Sequence, residues 1–172
     1  MDVELGKCVS VPIATGLTRP LVSASVTSSF GYRIHPTKKT YSFHSGVDLA
    51  TPEGSKIYPT AAGRVVGKIN RASCGGNILF INHQVNGVKY TSVYMHLLSF
   101  NVDVGDVVSE SDIIGYVGGS TTKSYDSCTT GAHLHFSLAK GWYSTTTSAY
   151  TSSLVNPVDY IYMPSRWSTR YY

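Results

Sequence analysis

At 172 residues the chain has room for one domain with a sizeable core and little for two. Apolar residues make up 42%, ordinary for a globular protein, but charged residues are only 14%, well under the usual quarter or so; with 13 Tyr and abundant Ser, Thr and Gly this points to an all-β, extracytoplasmic protein. The net charge of +4 favours an anionic partner surface, yet no Lys/Arg cluster suggests nucleic acid, and no apolar run approaches the roughly 18 residues of a membrane span.

Residues 1–21 show little periodicity, with Pro12 and Pro20 interrupting any element, and read as a lead-in segment that packs on the domain. Met1-Asp2-Val3-Glu4 lacks the basic start and apolar middle of a signal peptide, so either the protein is cytoplasmic or its export signal is absent from this chain. From Val22 the pattern changes to short β-like runs separated by Gly and Pro. Residues 63–69 read as a strand. Residues 77–83 and 88–96 flank Asn86-Gly87, a dipeptide that favours a tight type I′ turn, and together they predict a hairpin. Residues 102–108 and 112–118 suggest a further β unit turning at Ser109–Ser111. The polar stretch from Gly119 to Thr130 leads into a strand whose alternation, His133-Leu134-His135-Phe136-Ser137-Leu138, sets both histidines on one face. The Ser/Thr-rich run 144–153 reads as a loop. Asn156-Pro157 has the form of a cap followed by proline in the first turn of a short helix. No long amphipathic helix and no internal repeat is found. The reading is a single all-β domain.

Three short pieces carry chemistry. His133 and His135 face the same way. His44-Ser45-Gly46-Val47-Asp48 places an imidazole and a carboxylate four residues apart around a glycine, and both reach one ion if Gly46 lets the backbone turn sharply. His96 ends the second hairpin strand. Each piece alone has an ordinary structural reading. Together, His44, Asp48 and His135 make a two-His-one-carboxylate set compatible with a single catalytic zinc that keeps a position open for water. His96 and His133 then remain beside the metal as proton carriers and oxyanion donors. His-Glu-x-x-His is absent, so imidazoles must take the role that a glutamate base has in helix-borne sites. His83, at the end of the first hairpin strand, reads as a hydrogen-bonding residue.

The four motifs Phe30-Gly31-Tyr32-Arg33-Ile34-His35-Pro36, His44-Ser45-Gly46-Val47-Asp48, Tyr94-Met95-His96-Leu97 and Gly131-Ala132-His133-Leu134-His135-Phe136 stand in the order found in lysostaphin-type zinc endopeptidases, and the chain resembles that family over roughly residues 22–163. The resemblance implies zinc ligands His44, Asp48 and His135, and catalytic histidines His96 and His133. It implies an antiparallel, barrel-like β core with long loops forming a groove, and hydrolysis of cross-links or stem peptides of bacterial peptidoglycan by a metal-bound water. A lead-in of 1–21, a peptidase domain of 22–163 and a tail of 164–172 follow, with a monomeric, secreted or cell-wall setting. His35 falls near the groove in a structural or substrate-edge role. Residues 38–43 and 119–130 are the candidate specificity loops. Three cysteines with no Cys-x-x-Cys pair argue against a zinc knot, and Cys74 and Cys128, both in loops beside site-bearing strands, are expected to form a disulfide. A non-catalytic wall-binding or hydrolase-activating module has no need of five filled site positions. A phosphocarrier with paired histidines has no need of His44 and Asp48.

Overall fold

Asn86 and Gly87 both take positive φ, 51° and 76°, and reverse the chain between two long strands as a type I′ turn requires. The computed structural model describes residues 10–34, 41–72, 74–119 and 131–170. The expectations for His35, Cys128, residues 38–40 of one candidate loop and 120–130 of the other lie outside the described residues.

In chain order the strands are β1 (Ile13–Ala14), β2 (Ala24–Ser28), β3 (Gly31–Ile34), β4 (Tyr41–His44), β5 (Val47–Ala50), β6 (Lys56–Ile57), β7 (Gly63–Ala72), β8 (Gly76–Val85), β9 (Val88–Phe100), β10 (Val107–Val108), β11 (Gly115–Val117), β12 (His133–Lys140), β13 (Leu154–Val155) and β14 (Arg166–Trp167). A short helix, α1 (Ser148–Ser152), and one 3-10 turn at Pro157–Asp159 complete the described elements. The main sheet runs β10-β7-β8-β9-β12-β5-β2-β14, with every neighbour along that path antiparallel. Strands β3 and β4 form a separate ribbon. The protein is thus mostly antiparallel sheet with almost no helix, as the composition and periodicity indicate.

Strand β8 has no clean alternation because it is covered on both faces. Leu79 and Ile81 join a cluster with Leu49, Tyr94, Leu134 and Phe136 on one side. Ile78 and Phe80 pack with Val93, Ala139 and Tyr150 on the other. Each fully buried Phe or Leu in these layers contributes about 2 kcal/mol of transfer free energy. Tyr150 explains why 144–153 is not wholly a loop. Thr147 Oγ1 accepts the Tyr150 N–H at 3.1 Å and starts α1, and the Tyr150 ring, 6.1 Å from that of Phe80, seats the helix on the sheet. Asn156 caps the 3-10 turn through Val158 N–H, with Pro157 in its first position, as its sequence predicts.

The runs 102–108 and 112–118 do turn near Ser109–Ser111, where Asp112 Oδ2 accepts the Ser109 N–H at 2.8 Å. They do not pair with each other. Strand β10 is the outer neighbour of β7, while β11 lies between β6 and β9. The apolar residues Val108, Ile114 and Val117 are better buried against those long strands than against one another. Residues 10–21 pack on the body as expected: β1 pairs in parallel with β8, and Leu21 enters the core. Near the C-terminus, β14 extends the sheet beside β2, and Arg170 Nε–H donates to Arg19 O at 2.7 Å.

Candidate metal centre

Strand β12 brings the two elements of the centre together through its two neighbours. Along β5, His133 pairs with Ala50 and His135 with Asp48; along β9, His135 pairs with Met95. Leu134 and Phe136 are wholly buried, which fixes the strand's register and turns His133 and His135 to the opposite face. Asp48, directly opposite His135, shares that face.

His44 comes from the last position of β4, and the two-residue link to β5 passes close under β12. Gly46 has no left-handed φ, so it is not there to make a sharp turn as the sequence suggests. A Cβ at that position would collide with the Phe136 carbonyl and lie 2.7 Å from Ser137 Oγ. Close approach of two backbones is what requires glycine.

His96 reaches the centre by a different device. Leu79 pairs with Tyr94 but Asn77 pairs with Leu97, so β9 carries one extra residue there, a β-bulge. Tyr94 and Leu97 therefore both face the core although they are three apart, and His96 is turned outward with φ 66°. Its backbone is held at both ends: His96 N–H donates to Gly75 O, and His96 O accepts the Gly118 N–H, each at 2.9 Å. The strand continues to Phe100 rather than ending at His96.

Asp48 Oδ1 is the hub. It lies 3.0 Å from His135 Nδ1, 3.3 Å from His44 Nε2 and 3.9 Å from His133 Nε2. The ring of His96 is 4.7 Å from that of His133 and 6.0 Å from that of His135. The structure thus gathers all five residues singled out in the sequence. One donor atom from each of His44, Asp48 and His135 lies within 4.8 Å of the other two.

The donor set suits a metal ion because each ring is anchored by its other nitrogen. His44 Nδ1–H donates to Ser29 O at 2.8 Å, which leaves the Nε2 lone pair directed at Asp48. His135 Nε2 is 3.2 Å from both Ser45 Oγ and Ser137 Oγ, which leaves Nδ1 directed at the same point. Such outer hydrogen bonds fix tautomer and ring orientation in metal sites. His133 Nδ1–H donates to Gly131 O at 2.9 Å and likewise presents Nε2. Ser29 and Ser45 carried no signal in the sequence. Ser137 did, since it stands two residues beyond His135 on the same strand face.

The charges agree. Burial would raise the Asp48 carboxyl, but the His135 and His44 imidazoles beside it, when they carry a proton toward it in place of a metal, outweigh that and hold it far below the ordinary carboxylate range. Burial lowers the His135 imidazole; Asp48 beside it pulls the other way, and His44 and His133 add to the lowering. A carboxylate and a neutral imidazole are the forms a metal requires. His83 is elsewhere: wholly buried, its Nδ1–H donates to Ala62 O at 2.9 Å and its Nε2 accepts from Ser92 Oγ at 2.6 Å, the hydrogen-bonding role expected of it.

Comparison with known proteins bears on the whole arrangement. Residues 42–151 match the family model described as Peptidase family M23. The chain is 39% identical over 117 residues to the DD-carboxypeptidase/endopeptidase Mpg of Neisseria meningitidis, 68% of this chain and 25% of that protein. It is 36% identical over 106 residues to the peptidoglycan DD-endopeptidase ShyA of Vibrio cholerae, 62% of this chain and 22% of that one. The chain therefore spans about a quarter of the length of these curated relatives. Among solved structures, LytU superposes with a TM-score of 0.61 at 34% identity, over 79% of this chain and 83% of that one. A zinc-containing peptidase from Vibrio cholerae superposes with a TM-score of 0.64 at 28% identity, over 83% of this chain and 39% of that one. The matched residues include all five of the gathered side chains, and on this evidence the chain belongs to peptidase family M23.

Proposed function

We propose that this protein is a zinc-dependent endopeptidase that hydrolyses peptide cross-links or stem peptides of bacterial peptidoglycan. The observation that carries the reading is the convergence of His44, His135 and His133 on one carboxylate oxygen of Asp48, with the His96 ring alongside. The names of the relatives Mpg and ShyA, and the zinc in a structural neighbour, support the substrate class and the metal.

In this reading His44 Nε2, Asp48 Oδ1 and His135 Nδ1 hold one zinc ion. Zinc there would acidify a water molecule and polarise the scissile carbonyl. His133 holds and moves a proton at Nε2, its ring fixed by Gly131 O. His96 lies beside it, the ring centroids 4.7 Å apart, and the two imidazoles share base and acid work and donate to the developing oxyanion. Asp48 stays ionised throughout the working range because its carboxyl is held so low. We place the peptidase domain at 22–163, with 1–21 as a lead-in segment and 164–172 as a C-terminal tail, and read the protein as an extracytoplasmic monomer with a Cys74–Cys128 disulfide. A wall-binding module without catalysis has no use for His96 and His133.

The test is mass spectrometry of fragments released from purified peptidoglycans of known cross-link type, with and without a metal chelator. Chelator-sensitive release of cleaved peptides is the expected result and names the bond. Failure to release peptides from any of them with zinc loaded overturns the reading.

A further inference from the structure

The pairing registers place one row of residues straight across four strands. His133 in β12 is opposite Ala50 in β5, Ala50 is opposite Ser25 in β2, and Ser25 is opposite Arg166 in β14. Residues paired in this way point to the same face. The two flanking rows have the opposite sense: Leu134 and Leu49 on one side, and Ala24 and Trp167 on the other, are all buried. The row from His133 to Arg166 therefore lies on the face that carries the metal centre. Strands are spaced by about 4.7–4.9 Å, so the backbone of Arg166 is about 14 Å from that of His133.

Between them the side chains are small. A hollow of about 430 Å³ bordered by Asp48, Ala50 and His133 adjoins a second of about 410 Å³ bordered by Ser25, Ala50 and Arg166, with Ala50 common to both. The two make a trough that starts at the metal centre and ends at a cation. Three of the other described arginines are tied to backbone carbonyls: Arg19 to Thr169, Arg64 to Gly105, and Arg170 to Arg19 and Pro59. Arg166 is exposed, and its guanidinium makes no hydrogen bond or ion pair with the described residues.

Resting on the hydrolase reading above, we propose that Arg166 is a specificity-determining residue that binds a carboxylate of an acidic peptide substrate lying in this trough. An extended chain spans at most 3.3–3.6 Å per residue, so the recognised carboxylate is about four residues from the scissile bond. Ala50 and Ser25 leave room for the backbone between the two points. A guanidinium matches a carboxylate with two parallel hydrogen bonds.

The test uses the zinc-loaded chain and two probes: a cross-linked stem-peptide dimer with free carboxylates, and the same dimer with its carboxylates amidated. Binding is measured by calorimetry at low salt in the His96→Ala background, and cleavage is measured in the parent. The parent is expected to prefer the free carboxylate by about tenfold, the scale of one exposed but well-oriented ion pair. Arg166→Gln should erase the preference, with the change in KM rather than kcat, and Arg166→Lys should restore part of it. A preference that is missing in the parent, or that survives in Arg166→Gln, overturns the proposal. Cleavage of both dimers without preference would sink the proposal and leave the hydrolase reading standing. An Arg166-dependent preference in binding without cleavage of either would do the reverse.

Discussion

Gly46 and Phe136 are in backbone contact: the link between His44 and Asp48 crosses β12 so closely that a Cβ on Gly46 would strike the Phe136 carbonyl. The contact sets how far His44 and Asp48 stand from His135, which directly precedes Phe136 and pairs with Asp48. Gly46→Ala is therefore expected to cost about 2 kcal/mol or more, because backbone and not a flexible side chain must move. Zinc affinity should fall with it. Gly16, which has open space around it and an ordinary φ, provides the control, and Gly16→Ala should be neutral or slightly stabilising. Urea unfolding of both variants, with zinc titration against a competing chelator, checks the pair. Equal behaviour of the two would show that the link relaxes freely.

Substitutions within the centre should divide by role. His44→Ala, Asp48→Ala and His135→Ala each remove a proposed ligand and are expected to lose metal and activity together. His96→Ala and His133→Ala should keep zinc and lose about 10²- to 10⁴-fold in turnover, the range of a positioned acid or base. Ser137→Ala removes a partner of His135 Nε2 and should weaken zinc about tenfold while Ser45 remains. Metal content by mass spectrometry beside turnover separates these outcomes. Loss of zinc in His133→Ala would exchange its role with a ligand's.

These assignments show which parts of the centre were legible from the chain alone. The outward face of His133 and His135 follows from Leu134 and Phe136 between them, and the hairpin follows from Asn86-Gly87; both are local patterns. The pairing of His44 with Asp48 is also local, but its reason is not. Gly46 reads as a turn-former, and only the presence of β12 beneath it shows that close approach is the requirement. The bulge that aims His96 arises from a mismatch between β8 and β9, and neither strand's sequence announces it. The separation of 102–108 from 112–118 depends on long neighbouring strands that compete for their apolar residues. The position of Arg166 in line with His133 depends on a sheet order that brings residues more than thirty apart in the chain into one row. Local alternation is written in sequence; strand order and register between distant strands are settled by burial.

His83 predicts an acid-sensitive step in stability. Its Nδ1–H donates to Ala62 O, so Nε2 must accept from Ser92 Oγ–H; Ser92 in turn accepts from Tyr94 O–H, and Tyr94 accepts the Thr60 N–H. This buried chain is satisfied with His83 neutral. Burial lowers the imidazole from its ordinary 6.5 to about 4, only partly countered by the bond to Ala62. The unfolded chain then binds a proton that the folded one refuses between those values. The contribution is fully present above pH 6.5 and is lost as pH falls through about 4, amounting to about 3 kcal/mol. His135, also lowered, adds a change of the same sign in the absence of metal, whereas Asp48 acts only below its ordinary value of 3.8. Urea unfolding of zinc-loaded protein across pH 4–7 should show a slope that His83→Gln reduces by about one proton. An unaltered slope would locate the titration elsewhere.

His96 carries backbone strain in the service of its side chain. At φ 66° a residue with a Cβ sits in the left-handed region, at a cost of about 1 kcal/mol relative to glycine. The bulge and the hydrogen bonds to Gly75 and Gly118 hold it there, and the reward is an imidazole pointing at His133 instead of into the core. His96→Gly and His96→Ala both delete the ring, yet only glycine relieves the strain. The glycine variant should therefore be more stable than the alanine variant by about 1 kcal/mol, the reverse of what an ordinary strand position would give. Both should bind zinc alike and be equally slow. Thermal unfolding of the two variants decides the matter, because an alanine variant as stable as the glycine one would mean that β9 relaxes out of the bulge once the imidazole is gone.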